Sequence, residues 1–241
     1  MKSVIVTGGN RGLGLEHVRQ HAQAGWTVFA GTRHPESSDD LKQLRDAYSE
    51  NIHIVQLDVT KEPDILAARQ MVQSISGKLD RLINNAGIFA PGEDGLAKTD
   101  VDKMLNVYHV NVVGPVMMAK HFADLLEKGE QAVVVNTTSG AGVLREGSLD
   151  PGKQYSYGAT KAALNMVIRR MAADLKPKGV IVIGLGPGFV LTDMTKNNAK
   201  TPPLAPEESV SGQMKTIEGL TMDDTGQFFG HEGNRCDWMA N

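Results

Sequence analysis

The chain has 241 residues, enough to bury a sizeable core as one α/β domain spanning 1–241 rather than two small ones. A net charge of −3, with lysines scattered rather than interleaved with aromatics, argues against nucleic acid or an anionic membrane as partner. Cys236 is the only cysteine, which excludes an intramolecular disulfide and a cysteine-rich metal site.

The first strand runs from Val4 to Thr7. Its apolar run stops at Thr7-Gly8 and polar Asn10-Arg11 follows. That is too short for a signal peptide or a membrane span, so the expected location is the cytoplasm. Gly8, Gly12 and Gly14 then stand at the junction with a helix over 12–24, in the spacing Gly-x-x-x-Gly-x-Gly. Small residues at a strand-to-helix turn let a pyrophosphate approach the backbone and the helix N-terminus. Gly8, Asn10, Arg11, Gly12, Leu13 and Gly14 are therefore the first expected dinucleotide contacts. His17 and His21 share a face of this helix and read as a surface or packed pair, not a metal site.

The second strand, Trp26 to Gly31, leads into Thr32-Arg33-His34 with no acid to bind an adenosine ribose. Arg33, with Arg11 from the other side, suits a 2′-phosphate, which favours NADP(H) over NAD(H). A helix over 38–50 and a third strand, Ile52 to Leu57, bring in Asp58 and Val59, with Asp58 a candidate for the adenine amino group. After a helix over 61–76, the fourth strand, Arg81 to Asn84, delivers Asn85-Ala86-Gly87 to the middle of the cofactor. A long helix over 100–127 carries Asn111 among Val110, Val112 and Val113. This amide either organises a water linking Lys161 to solvent or is satisfied locally.

Beyond the fifth strand, Ala132 to Asn136, the Ser139 hydroxyl is placed to bind a substrate oxygen, with Thr138 as the alternative. A helix over 155–176 holds Tyr157 and Lys161 four residues apart, hence on one face. A phenol ordinarily titrates near pH 10, and a neighbouring ammonium lowers that toward useful proton transfer. Tyr155 points away from Lys161 and belongs to the helix start or the substrate pocket. The sixth strand, Val180 to Leu185, turns at Gly186-Pro187-Gly188. A substrate lid is expected over 187–217, including a helix at 206–217. A seventh strand passes through Phe228-Phe229 and turns at 231–234. Continuous apolar runs alternating with helices predict an α/β, doubly wound, mostly parallel seven-stranded sheet flanked by helices.

The ordered set Thr7-Gly8-x-x-x-Gly12-x-Gly14, Asp58, Asn84-Asn85-Ala86-Gly87, Asn111, Ser139, Tyr157-x-x-x-Lys161 and Pro187-Gly188-x-x-x-Thr192 resembles the short-chain dehydrogenase/reductase family along essentially the whole chain. Tyr157 to Asn165 and the ending Gly226 to Gly233 are similar to the sniffer-type carbonyl reductases and C-factor-like proteins. The segment between Ser139 and Tyr157 is longer than usual there, with extra residues around Arg145 to Gly152. The resemblance implies a Rossmann-like fold and a catalytic tetrad of Asn111, Ser139, Tyr157 and Lys161. It also implies nicotinamide contacts from Pro187, Gly188, Val190 and Thr192, with Thr192 on the carboxamide. Lys161 would also hold the nicotinamide ribose.

The expected activity is NADPH-dependent reduction of a ketone or aldehyde, with a small-molecule carbonyl or alcohol as substrate. The alternatives are an NAD-dependent alcohol dehydrogenase on the same fold and a non-catalytic nucleotide-binding signalling protein. The helices at 100–127 and 155–176 offer faces for a homodimer or homotetramer, unless the sheet uses them up in a monomer.

Overall fold

The computed structural model describes residues 1–144, 155–193 and 203–238. The extra segment at 145–152, with Glu146 and Asp150, lies outside the described residues, as does 194–202 of the expected lid. Strand β1 (Ser3–Thr7) leads through α1 (Gly12–Gln23) to β2 (Thr27–Thr32), and α2 (Asp39–Ala47) leads to β3 (Ile52–Gln56). Helix α3 (Glu62–Ile75) carries the chain to β4 (Arg81–Asn84). Helices α4 (Val101–Tyr108) and α5 (Gly114–Glu127) then lead to β5 (Val133–Thr137). Helix α6 (Tyr155–Leu175) precedes β6 (Ile181–Gly186), and α7 (Pro206–Glu218) precedes β7 (Phe228–Gly230) and β8 (Arg235–Cys236).

The sheet order is β3-β2-β1-β4-β5-β6-β7-β8. Seven strands are parallel, as the continuous apolar runs predict. The eighth, β8, pairs antiparallel with β7 and extends the expected seven-stranded sheet. Two residues after a turn carry no periodic signal, so β8 is set by pairing with β7 alone. Strand order reverses between β1 and β4, which opens a crevice at the carboxyl ends of the strands.

Neighbouring strand residues feed opposite faces. Val4, Val6, Val28, Ala30, Ile83, Val135 and Ile183 join one core with Val18 and Leu41. Ile5, Phe29, Leu82, Val134 and Val182 join the other with Phe122, Leu125 and Leu164. This period of two, buried on both sides, is why the strands read as unbroken apolar runs. Each fully buried side chain of this size contributes about 1.5–3 kcal/mol.

The helix expected over 100–127 is divided. Asp100 caps α4 by accepting the Lys103 N–H, but a π-helical turn at His109–Val113 separates α4 from α5. Asn111 sits in that turn, and such turns recur where a helix must aim a side chain. No helix among the described residues is long and apolar enough to cross a membrane.

His17 and His21 are buried, not on the surface. Arg81 Nη1, a donor only, lies 3.0 Å from His21 Nε2, so that nitrogen accepts and His21 Nδ1–H donates to the His17 carbonyl at 2.7 Å. Gln213 donates to Ser209 Oγ at 3.0 Å, which turns its Oε1 toward His17 Nε2 at 3.2 Å. Ser209 Oγ donates in turn to the Pro187 carbonyl at 2.6 Å. The Arg81 bond thus leaves His21 neutral, and the Gln213 bond fixes a proton on His17 Nε2. Burial lowers His17 from 6.5 to about 4, with the Arg81 charge acting in the same direction and the Gln213 bond against it.

The folded protein therefore refuses a proton that the unfolded chain takes up below pH 6.5. His17 contributes its stability above that pH and loses it as the pH falls toward 4, by about 2 kcal/mol at pH 5. Urea unfolding of the wild type from pH 7 to 5 is expected to show this loss, and His17→Gln is expected to remove only part of it, because burial and the Arg81 charge lower His21 as well. A wild-type midpoint independent of pH in that window would contradict the assignment.

Candidate active site

One cleft of roughly 1970 Å³ runs along the carboxyl ends of the strands. It is lined by all the expected dinucleotide contacts: Gly8, Asn10, Arg11, Gly12, Leu13, Gly14, Thr32, Arg33, Asp58, Val59, Asn85, Ala86, Gly87, Tyr157, Lys161, Pro187, Gly188, Val190 and Thr192. Ser139 lines it too.

At one end, Gly8 adopts a left-handed turn (φ +66°), and the backbone doubles back so closely that a Cβ on Gly14 would lie 2.0 Å from the Gly8 carbonyl oxygen. Asn85 braces this turn from β4: its Nδ2 donates to the carbonyls of Thr7 (2.9 Å) and Gly8 (3.3 Å). The Thr7 hydroxyl accepts the backbone N–H groups of Asn85 and Ala86. Asn85 thus shapes the backbone beside the cleft, as its position in the sequence suggests. Among the described residues no side chain caps α1, and its first turn holds no acid, whereas α2, α3, α4 and α7 each carry at least one there. The unpaired N–H groups of α1 and its positive end are left for an anion at the cleft. These features fit a dinucleotide pyrophosphate.

Arg33 is exposed at the end of β2, with no acid in the adjoining 30–34 stretch. Arg11 lines the same cleft, where its Nη1 pairs with Asp193 at 3.0 Å. The Thr192 methyl lies over Gly12, which sets Asp193 beside the arginine. Both partners are largely exposed, so the pair is weak and an anion can compete with it. Asp58 is ionised at neutral pH. Burial raises its pKa, but the Thr60 hydroxyl and backbone N–H, with the charges of Arg33 and Lys61, outweigh that and lower it.

At the other end, Tyr157 and Lys161 share the cleft-facing side of α6, and Lys161 Nζ lies 5.5 Å from the Tyr157 ring centre. The Ser139 hydroxyl stands beside the phenol. The phenol pKa is raised by burial, with the Ser139 hydroxyl pulling the other way. This corrects the expectation that Lys161 lowers it: Lys161 Nζ donates to the Thr137 carbonyl at 2.7 Å instead. Burial lowers the Lys161 pKa to about 8, so its proton exchanges near neutrality.

Thr138, the alternative to Ser139, donates its hydroxyl to buried Asn165 Oδ1. Ser139 Oγ accepts the Ala141 N–H and meets the phenol. Asn111 does not line the cleft but stands behind it. Its Oδ1 accepts the Ile88 N–H and its Nδ2 donates to the Ile88 carbonyl, both at 2.9 Å. Nδ2 also lies 3.2 Å from Thr160 Oγ1, which donates to the Tyr157 carbonyl at 2.9 Å. A Cβ on Gly87 would sit 3.5 Å from Asn111 Oδ1 and 4.0 Å from Lys161 Nζ, so both polar groups flank one backbone step.

Tyr155 opens α6 at the cleft wall, half exposed. Phe89, Glu93, Leu96, Phe189 and Asp193 also line the cleft. Phe189 and Asp193 belong to the expected lid, whereas Phe89, Glu93 and Leu96 carry no periodic or motif signal, and only the folded chain brings them there. The expected lid divides: Val190 bridges to Leu204, while α7 is a packed helix against α1.

Residues 2–203 match the short chain dehydrogenase family. An uncharacterized oxidoreductase of Schizosaccharomyces pombe is 34% identical over 96% of each chain. The C-signal protein of Myxococcus xanthus is 37% identical over 68% of this chain and 95% of its own. Among solved structures, an NADPH-bound carbonyl reductase from chicken fatty liver superposes with a TM-score of 0.90 at 33% identity over 99% of both chains. The carbonyl reductase Sniffer of D. melanogaster gives 0.89 at 29% identity, over 99% of this chain and 100% of its own. With its reversed strand order, its cleft and this match over most of its length, the chain belongs to the short-chain dehydrogenase/reductase family of oxidoreductases.

Proposed function

We propose that the protein reduces a ketone or aldehyde to the alcohol, with NADPH preferred over NADH. The observation that carries this reading is the single cleft joining an uncapped helix N-terminus to the Ser139–Tyr157–Lys161 cluster. The carbonyl reductases that resemble the chain, one of them NADPH-bound, support the same reading.

Bound NADPH would supply the hydride. Gly8 to Gly14, Asp58 with Val59, and Asn85 to Gly87 would hold the dinucleotide, and Pro187 to Thr192 its nicotinamide end. Ser139 and Tyr157 hydroxyls polarise the substrate oxygen, and Tyr157 hands it the proton. The raised phenol pKa keeps that proton in place at neutral pH, which suits the reductive direction. Lys161, near pH 8, can return a proton to the phenol and hold the nicotinamide ribose. Asn111 fixes the turn of α6 through Thr160.

The test is oxidation of NADPH and of NADH against a panel of ketones and aldehydes. Turnover with NADPH supports the reading; turnover confined to NADH sinks the cofactor preference. Arg33→Ala is expected to raise KM for NADPH about tenfold, the worth of one charge-assisted bond, and to leave KM for NADH unchanged. Equal KM values for NADPH in variant and wild type would clear Arg33 of phosphate binding.

The likeness to the C-signal protein favours a second reading, a nucleotide-binding signal without turnover. Tight NADPH binding with no carbonyl reduced would support it. Exposed Val101, Leu105, Tyr108 and Val116 on α4 and α5, with Met166 on α6, support a symmetric homodimer or homotetramer.

A further inference from the structure

Glu93 lies between β4 and α4, outside every motif, yet it is 4% exposed and lines the cleft. Both of its carboxylate oxygens are directed at one residue of another element. Oε2 accepts the backbone N–H of Ser156 at 3.0 Å, and Oε1 accepts the Ser156 hydroxyl at 3.0 Å. Ser156 is fully buried, second in α6, and the immediate neighbour of Tyr157.

The first N–H groups of a helix have no partner within it, and its positive end favours a carboxylate. The first turn of α6 holds no acid of its own. Glu93, 63 residues earlier, brings that charge from the stretch between β4 and α4. On the opposite side of the same turn, the Ala141 carbonyl lies 3.4 Å from where a Cβ of Gly158 would be. One turn further on, Thr160 ties back to the Tyr157 carbonyl. The residue that carries the phenol is therefore held between the Ser139–Ala141 turn and Glu93.

We infer that Glu93 is a positioning residue for Tyr157: its two charge-assisted bonds to Ser156 fix the first turn of α6, and so the phenol, against Ser139. The inference rests on the proposed role of Tyr157 as proton donor. It also makes the 89–98 wall, with Phe89 and Leu96, one mechanical unit with the catalytic helix. A carboxylate removed from water needs such bonds to remain buried, which explains why both oxygens face donors. Loss of the anchor leaves the cofactor-facing Lys161, a turn further on, in place.

The test uses the full chain. Hydrogen exchange in the cofactor-free protein is read at the amides of 156–160 and of 164–175, alongside kcat, KM for NADPH and the melting temperature. In Glu93→Ala, exchange at 156–160 is expected to quicken about tenfold while 164–175 keeps wild-type protection. In the same variant kcat is expected to fall about 30-fold, with KM for NADPH within about threefold. Glu93→Gln can accept the N–H and donate to the hydroxyl but brings no charge to the helix start, and is expected to fall between wild type and Glu93→Ala in both readouts.

Wild-type exchange at 156–160 in Glu93→Ala overturns the inference. So does protection lost evenly through the sheet core, which would make Glu93 a stability residue only. A wild type that reduces no carbonyl defeats the proposed chemistry separately, and the exchange pattern then still decides whether Glu93 holds the turn.

Discussion

Tyr157→Phe is expected to lower kcat for carbonyl reduction by about 10³-fold while leaving NADPH affinity within about threefold. The substitution removes one oxygen and its proton and keeps the ring volume, so packing around α6 is preserved. What is lost is the donor that burial holds protonated beside Ser139. Lys161 cannot replace it, because its Nζ donates to the Thr137 carbonyl and lies over the ring, 5.5 Å from its centre. Ser139 alone still polarises a carbonyl but has no matched acidity near neutrality. Single-turnover loss of NADPH absorbance measures the chemical step, and quenching of protein fluorescence measures binding. Turnover in the variant equal to wild type would remove Tyr157 from the reaction. A parallel loss of NADPH binding would instead make it a cofactor contact.

Gly14→Ala is expected to abolish cofactor binding and to lower stability by about 3 kcal/mol. The added methyl would stand 2.0 Å from the Gly8 carbonyl oxygen and 2.6 Å from Asn85 Nδ2. Neither can swing aside freely. The oxygen belongs to the backbone at the end of β1, and the amide braces the same turn through Thr7 and Gly8. Relief requires α1 to move away from β1, which separates the helix N-terminus from the glycine turn. That displacement takes the unpaired N–H groups of α1 out of reach of a pyrophosphate, so NADPH affinity is expected to fall by more than about 100-fold. Thermal unfolding and NADPH titration check the two effects. A variant with wild-type melting and affinity would show that the turn relaxes at no cost.

Both predictions start from residues that are visible in the sequence, because each signal is local. A strand buried on both faces must be apolar at every position. A strand-to-helix turn that doubles back must be glycine, and a phenol and an ammonium four residues apart must share a helix face. These constraints act over one element or one turn, so α1, α6, seven strands and the motif residues that line the cleft can be read directly. What could not be read depends on pieces distant in sequence. Arg11 meets Asp193 across 182 positions, and no local rule sets that pairing over an approach to phosphate. The raised pKa of Tyr157 follows from burial, which spacing alone does not contain. Asn111 reads as a polar interruption, but only the π-helical turn aims it at Ile88 and Thr160. His17 and His21 become neutral core groups through burial by other elements, with the Arg81 charge adding to it. The residue types and local periods thus determined the fold class and the inventory of chemical groups. Tertiary structure alone decided which groups meet, because hydrogen bonds and desolvation depend on distance in space and not along the chain.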